Sequence, residues 1–581
     1  MTEQYCTFPS AWAIRFIVRQ YMLTFGVVQA ALLPPNPNTL TISSFDQASI
    51  FRAHHIHHLD SNSMESSSMT PEEQRTDRPT VLAGIDFGTT YMLRVPGSRW
   101  PVPPWPLSNL SIKSLRVQRG KDPYKIPKED IQWPGDVRVS AKLEKLTKER
   151  EALDVSAVDA SSKYLGELWK QFHENLDKDI NVEITVTVPA IWPEDARERL
   201  LQALRSRSAN ILGTNVRLAQ NLVTESEAAA IALLSASANP GILEGLNFNA
   251  KDTVIICDCG GGTTDLISFQ VRSMEPLAVR EISPSKCIYA GAALLDDGFM
   301  KLLRAKTQAE RPRNAVKDLT DKNYDKFAND IWHNDMKKNH CVNIEGQTFD
   351  LPLKFIGKQV GVSTMEFTAA DIHGVFDPVV NKITNLVESE MAIVEERTGK
   401  QATHVVIAGG FGRNSYLRHK IEDKVRSVSP LTRTNQYEDD TGWISVARGA
   451  VLHAIQTKSQ SAPSIEARAS GESYGVGIGN GGFIHWLVRW GDELSAEGLN
   501  PRPVPPEAVR RSPDGRCFLD WYRVKGPGAK AEIVRPLYYR NAAGELGDLR
   551  FDFNWDGTKM HYVLCQGNQQ PTWTLGDEYD A

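Results

Sequence analysis

Apolar and polar positions alternate in an orderly way only in the middle of the chain. "TVLAGIDFGTT" (80–90) reads as an apolar strand running into a Gly-Thr-Thr turn. "NVEITVTVPA" (181–190) alternates with a period of two, as a strand does. Apolar residues three and four apart predict helices through "KYLGELWKQFHENL" (163–176) and "VFDPVVNKITNLVESEMAIVEER" (375–397). Pro193 and the acids after it open another helix through "EDARERLLQAL". "VRLAQNLV" is a further strand, and "TESEAAAIALLSAS" (224–237) a helix in which Thr224 and Glu227 have the capping-box spacing. "DTVIICDC" leads into three consecutive glycines and "LISFQV" leads out. Then come "KCIYAGAALLDDGFMKLL" (286–303), a charged helical region (304–340), and "THVVIAGGFGRNSYLRHKI" (403–421), which reads as strand, glycine turn and helix. "GWISVARGAVLHAI" (442–455) is a last helix of small residues.

The flanks differ. Residues 1–79 read as an N-terminal extension and linker without fixed structure, because 34–79 are rich in Pro, Ser, Asn and charge and poor in core formers. The four histidines of "HHIHH" (54–58) fit no rigid metal spacing and read as a solvated loop. Residues 95–140 hold many prolines and little alternation, which is poor material for central strands. A linker is expected over 458–470, and short β-like pieces such as "YGVGIGN" and "DLRFDFNW" make 471–581 a small β-rich region. Between the flanks, 80–457 mixes strands and helices. It carries a weak repeat, "AGIDFGTT" and "ICDCGGGTT", that predicts an α/β core built from two related halves.

Composition narrows the function classes. The 581 residues are 41% apolar and 24% charged, the balance of a globular protein of two to four domains. A net charge of −5 argues against a nucleic-acid binder. Seven cysteines without a CxxC fit a reducing compartment, and Cys257 and Cys259, two apart on a strand, read as buried small residues facing one side. Arg15, Arg19 and Gln20 interrupt the apolar run 11–33, so no membrane span is expected there. The low acid content of the first forty residues leaves a mitochondrial presequence as the alternative to a cytoplasmic location.

The two glycine turns carry the chemistry. Successive N–H groups in such turns form a concavity for an anion, and Thr89, Thr90, Thr263 and Thr264 add hydroxyls. Asp86, Asp258 and Asp265 would repel phosphates unless a cation lay between. Mg²⁺, held by one or two carboxylates and substrate phosphates, fits that need, with Asp86 and Asp258 as its partners through water. A carboxylate off the metal would orient an attacking water. In "IAGGFGRNS" (407–415), Gly409, Gly410 and Gly412 stand beside Arg413, whose guanidinium suits stacking on a flat base.

"GIDFGTTY", "TVPAIW", "TESEAAAIAL", "CDCGGGTTDLISF" and "VVIAGGFGRNSYLRHKI", in this order, resemble the nucleotide-binding domain of the 70-kDa heat-shock chaperones, within the actin-like ATPase superfamily. The chain looks most like the divergent fungal and animal branch of that family, which lacks a helical lid. The resemblance implies a two-lobed actin-like ATPase fold of duplicated ribonuclease-H-like halves followed by a small β domain. Lobe I would span about 80–250 and lobe II about 251–400, with a return over about 401–457. It implies ATP/ADP and Mg²⁺ as cofactors, and extended peptide segments and co-chaperones as partners. By position, Gly84, Asp86, Gly88, Thr89 and Thr90 match the first phosphate loop, and Asp258, Gly260, Gly261, Gly262, Thr263 and Asp265 the second. Thr264 stands where an aromatic is expected. Glu225 matches the glutamate facing metal and water. Gly409, Gly410 and Arg413 match the adenosine motif, and Lys337 or Lys338 a basic helix lining that pocket. Gly291 with Asp296 or Asp297 matches another glycine–acid loop.

The departures matter as much. The family's phosphate-steadying lysine follows the first loop, where this chain is short and proline-rich; Lys113 in "SIKSLRV" is the candidate. Without such a lysine, nucleotide binds but hydrolyses poorly, because the catalysis is charge stabilisation and positioning. Three functions therefore stand at this stage. They are an ATP-hydrolysing chaperone-like switch, a non-catalytic nucleotide-gated scaffold, and a small-molecule kinase on the same fold.

Overall fold

The structure, a computed structural model, describes residues 19–23, 26–33, 80–86, 155–173, 180–190, 192, 194–237, 248–274, 277–314, 324, 328–340, 349–352, 364–436, 441–458, 464–479, 483–496, 498–511, 517–524, 531–539, 549–566 and 573–574. The chain is mixed α/β with several sheets. In chain order the first group is β1 (Arg19–Leu23), β2 (Gly26–Leu33), β3 (Thr80–Asp86), helix α1 (Ala157–His173), β4 (Asn181–Val188), α2 (Glu194–Arg205), β5 (Val216–Leu218), β6 (Val223–Thr224) and α3 (Glu225–Ser237). The second group is β7 (Thr253–Cys259), β8 (Thr264–Met274), β9 (Leu277–Ile288), α4 (Ala292–Asn314), the pair β10 (Phe349–Pro352) and β11 (Thr364–Phe367), α5 (Ala369–Thr398), β12 (His404–Ala408), α6 (Ser415–Val428), β13 (Arg433–Gln436), α7 (Thr441–Gln456) and β14 (Ser464–Ala469).

The two main sheets share one pattern of strand directions. In the first the order is β1-β2-β3-β4-β5, with β6 also on β4; β1, β2 and β3 run antiparallel in turn, and β4 and β5 run parallel to β3. In the second, β9, β8 and β7 are antiparallel in turn, and β12 and β13 run parallel to β7. Each sheet thus has a hairpin on one side of a central strand and parallel strands on the other. The central strands, β3 and β7, are those ending at Asp86 and at Asp258–Cys259.

Both sheets are covered on both faces, which explains why β7 is buried at every position. On the first sheet Ala83, Ile85, Val182, Ile184 and Val186 meet Leu165 and Phe172 of α1 and Leu200 and Leu204 of α2. Leu82, on the opposite face, meets Val451, Ala454 and Ile455 of α7. On the second sheet Ile255, Cys257, Val405 and Ile407 face α5 and α6, while Val254, Ile256 and Val406 face α3. Helices α3 and α7 lie between the sheets and cross closely, Gly449 being set against the Ala228 carbonyl.

Helix α5 shows how local sequence fixes an element. Thr368 and Asp371 form a complete capping box, and Gly399 closes the helix at φ 68°. Ile372, Phe376, Val379, Ile383, Val387 and Val394 then present one buried stripe.

The C-terminal strands are β15 (Ser473–Ile478), β16 (Phe483–Val488), β17 (Glu493–Ser495), β18 (Asn500–Pro503), β19 (Arg510–Arg511), β20 (Cys517–Val524), β21 (Glu532–Tyr539), β22 (Leu549–Trp555), β23 (Met560–Gln566) and β24 (Trp573–Thr574). Two antiparallel sheets, β16-β15-β20-β19 with β21 on β20, and β18-β22-β23-β24, enclose an aromatic core. In it Trp521 stacks on Phe551 at 4.4 Å. No helix among the described residues is long and apolar enough to cross a membrane.

Two expectations are corrected. Part of the extension 1–79 is ordered: β1 and β2 form a hairpin whose second strand pairs with β3 from Val27↔Asp86 to Leu33↔Thr80. Part of the linker 458–470 is β14, which extends the second sheet by pairing in parallel with β9, and β17 pairs with β14 in turn. In both places apolar residues join a sheet through distant pairing that local composition does not reveal. The histidines 54–58 and the proline-rich stretch 95–140 lie outside the described residues.

Candidate functional site

Four carboxylates converge where the two main sheets meet. Asp86 ends β3, Asp258 sits near the end of β7, Asp265 faces it across the hairpin as its register partner on β8, and Glu225 begins α3. Asp258 and Asp265 are buried, while Asp86 and Glu225 are partly so. Desolvation, then the charge of Asp265, pushes Asp86 up to about 6. Asp265 is also raised to about 6 by burial, against hydrogen bonds from Cys287, Thr263 and the Ala190 N–H that lower it. Asp258 lies well above the usual carboxylate range, through burial and then Asp265 and Asp86. Glu225 is raised by burial and then by Asp265, Asp86 and Asp258. Its Oε1 is buried with no hydrogen-bond partner. No lysine or arginine among the described residues figures among the groups setting these four shifts.

Desolvated like charges of this kind call for a cation, whose charge reverses the local pKa logic. Among the described residues no three His, Cys, Asp or Glu side chains stand as direct ligands of one ion.

The glycine turn is tightly built. Gly260 N–H donates to the Thr263 carbonyl at 2.9 Å, and the first N–H groups of α4, from Ala292 and Ala293, donate to the carbonyls of Gly260 and Gly261. Gly291 is pressed so closely on the Gly261 carbonyl that a Cβ there would collide. Thr263 hydrogen-bonds Asp265. Thr264 departs from expectation as a ligand-binding residue: its side chain is fully buried and its hydroxyl donates to the Ala290 carbonyl at 2.6 Å. Gly84 departs too. It lies within β3 against the Ala447 carbonyl of α7, so its missing Cβ serves helix packing. Gly88, Thr89, Thr90 and Lys113 lie outside the described residues.

The 409–415 turn joins this centre directly. Gly409 has φ 79°, and a Cβ on it would strike the Asp258 carboxylate and the Cys259 carbonyl. Gly410 and Arg413 are exposed beside it. Asn414 caps α6 and its Nδ2 donates to the Lys337 carbonyl at 2.9 Å, which fastens the Lys337–Asn339 turn to the glycine turn. Lys337 Nζ pairs with Asp296 at 2.8 Å, and the same oxygen accepts from Trp332 Nε1. Lys338 is exposed, as a solvated face requires. The structure thus brings together Asp86, Glu225, Asp258, Gly260, Gly261, Gly262, Thr263, Asp265, Gly291 and Gly409, and fastens the Lys337 turn alongside.

Some residues were not foreseen. Burial first, and then the charge of Asp86, raise the phenol of Tyr164 on α1. Cys287 faces Asp265. Glu227 is the largest correction. The Glu227 N–H does bond to Thr224 Oγ1 at 3.2 Å, but the Glu227 carboxylate does not complete the capping box. It receives both Arg468 nitrogens, at 2.6 and 2.8 Å. Arg468 on β14 also faces Glu281, and the β22–β23 turn closes over the pair, Gly557 lying against both side chains. Arg197 of α2 donates to the Thr558 carbonyl in the same turn. A charged partner 241 residues away outbids the local cap because a buried bidentate ion pair is the stronger bond. No signal in the sequence near either residue announces it.

A scan against models of protein families gives no match, and a search of curated proteins likewise finds none.

Proposed function

We propose that the chain binds ATP with Mg²⁺ in the carboxylate site, hydrolyses it, and uses the change to move the C-terminal β region as a chaperone-like switch. One observation carries this reading. Asp86 and Asp258, at the same end of the central strands in two sheets of like pattern, lie close enough for their charges to act on one another and, with Asp265, on Glu225. A two-lobed actin-like ATPase fold accounts for that duplication. In this reading Mg²⁺, when bound, supplies the charge that lets the aspartates stand beside phosphates. The Gly260–Thr263 turn cradles the phosphate oxygens, and Glu225, with its open Oε1, orients water for in-line attack. The Gly409 turn and Arg413 hold the base side.

Coupling to the β region has a physical route. Glu225 and Glu227 share the first turn of α3, and Glu227 is clamped by Arg468 under the β22–β23 turn. A shift of α3 on phosphate release is therefore felt where the β sheets dock. Extended peptide segments are the clients that this β region would take by strand addition.

A second reading, a nucleotide-gated scaffold with little turnover, is favoured by the lack of a basic group among the described residues that set the charge of the four carboxylates. Single-turnover hydrolysis separates the two. Phosphate release well above that of Asp258→Asn supports the enzyme. Tight binding with release equal to that variant supports the scaffold.

A further inference from the structure

Beside the Lys337 turn, the buried His340 and the half-buried His373 are not used by the site above. His340 follows that turn and is 0% exposed. Its ring centroid lies 5.0 Å from that of His373, 4.6 Å from Phe376 and 4.8 Å from Tyr416. Neither ring nitrogen of His340 has a hydrogen-bond partner, and nor does Nε2 of His373. A ring so placed is neutral, because a charged imidazolium would find no water and no acceptor.

The surrounding charges do not offset this. Helix α5 presents His373, a like charge when protonated, and Asp377, whose Oδ1 already accepts the Tyr416 hydroxyl. Helix α6 presents Tyr416 and, over its ring at 5.2 Å, the Lys420 ammonium. The segment itself carries Lys337, paired with Asp296, and the exposed Lys338. Burial first and His373 second hold His340 down at about 4, against a weaker upward pull from Asp377.

The backbone here is tied to the glycine turn at two points. Asn414 Nδ2 donates to the Lys337 carbonyl at 2.9 Å, and Ser415 Oγ to the His340 carbonyl at 3.0 Å. His340 cannot leave its cage without straining both.

We propose that His340 is an acid-triggered latch: protonation expels its ring from the His373–Phe376–Tyr416 cage and draws residues 332–340 off the 409–415 turn, opening the base side of the candidate site. The consequence for nucleotide rests on the proposed function; the opening itself does not. The direction follows from linkage. A ring whose closed-state value is depressed from 6.5 to about 4 keeps the segment fully closed above 6.5. As pH falls toward about 4, the open fraction rises about tenfold per unit.

The test is hydrogen–deuterium exchange of the full chain at about pH 7 and about pH 5, corrected for intrinsic exchange, on wild type and His340→Phe. Protection at 332–340 is expected to drop about tenfold or more in wild type and to hold in the variant. A fluorescent ADP with Mg²⁺ is followed in parallel: protonation of Asp86 and Asp265 near about 6 loosens it in both proteins, and the latch adds a further acceleration of dissociation at the lower pH in wild type. Unchanged protection in wild type, or an equal loss in both proteins, overturns the latch. Should His340→Phe not fold, the imidazole resonances of the wild type decide. Titration of His340 near its ordinary value with protection intact overturns the proposal, and titration only as protection is lost supports it. Opening without any nucleotide binding at either pH leaves the latch standing and sinks the nucleotide reading instead.

Discussion

At the residue scale the site is defined by crowded carboxylates whose shifts no lysine or arginine among the described residues offsets. Asp86 and Asp265 are raised from 3.8 to about 6. Folding therefore binds their protons more tightly. Each contributes stability that is full below 3.8 and lost as pH rises through about 6. The nucleotide-free protein should accordingly melt at lower temperature at neutral pH than near pH 5, and Mg²⁺ with ADP should offset the loss. Asp86→Asn mimics the protonated acid. It should raise nucleotide-free stability at neutral pH by about 1–3 kcal/mol while removing the stabilisation by nucleotide. Thermal melts at two pH values, with and without ligand, read both effects. A variant less stable than wild type without ligand would show that the carboxylate cluster is not strained.

At the scale of elements, α3 and β14 are linked by Arg468. Replacing it with Met strands Glu227 and Glu281 in a buried place, and should cost about 3–5 kcal/mol by denaturant melts. Glu281 is already raised to about 7 by burial, with Arg468 as the main opposing influence. The Glu281 share of the penalty in Arg468→Met should therefore be small below about 7, where that acid is protonated in both folded proteins, and grow as pH rises above about 7. A pH-independent loss would mean that packing, not charge, sets the contribution. The elements themselves differ in how openly the sequence displays them. Helix α5 is legible because its cap, stripe and closing glycine are all local. The glycine turn is legible because its acids and hydroxyls sit within eight residues of one another. Strand β14 and the true partner of Glu227 are not, since β14 is held by its pairing with the distant β9 and Glu227 by Arg468, 241 residues away. Thr264 misleads for a related reason: a hydroxyl beside a phosphate-type turn looks like a ligand until the Ala290 carbonyl claims it.

At the scale of the whole molecule, the hairpin of the first sheet comes before its central strand in the chain, whereas that of the second sheet follows it. The proline-rich residues after Asp86 predict no such hairpin, and β1 and β2 occupy that place beside β3. This pairing could not be read beforehand, because β2 looks apolar whether it forms a strand, a presequence or a loose tail. Deleting residues 1–33 should expose the β3 edge and lower stability by at least a few kcal/mol, given the lost ladder from Val27↔Asp86 to Leu33↔Thr80 at about 1 kcal/mol per bond. An unchanged denaturation midpoint would show that the hairpin is dispensable. The central claim is that two halves of the chain place Asp86 and Asp258 around one magnesium nucleotide. Titration calorimetry of the full chain with ADP and saturating Mg²⁺ tests it most directly. The account predicts one site per chain, lost on removing Mg²⁺ and lost equally in Asp86→Asn and Asp258→Asn. Absence of binding heat in the folded wild-type chain, or binding indifferent to both substitutions, would contradict it.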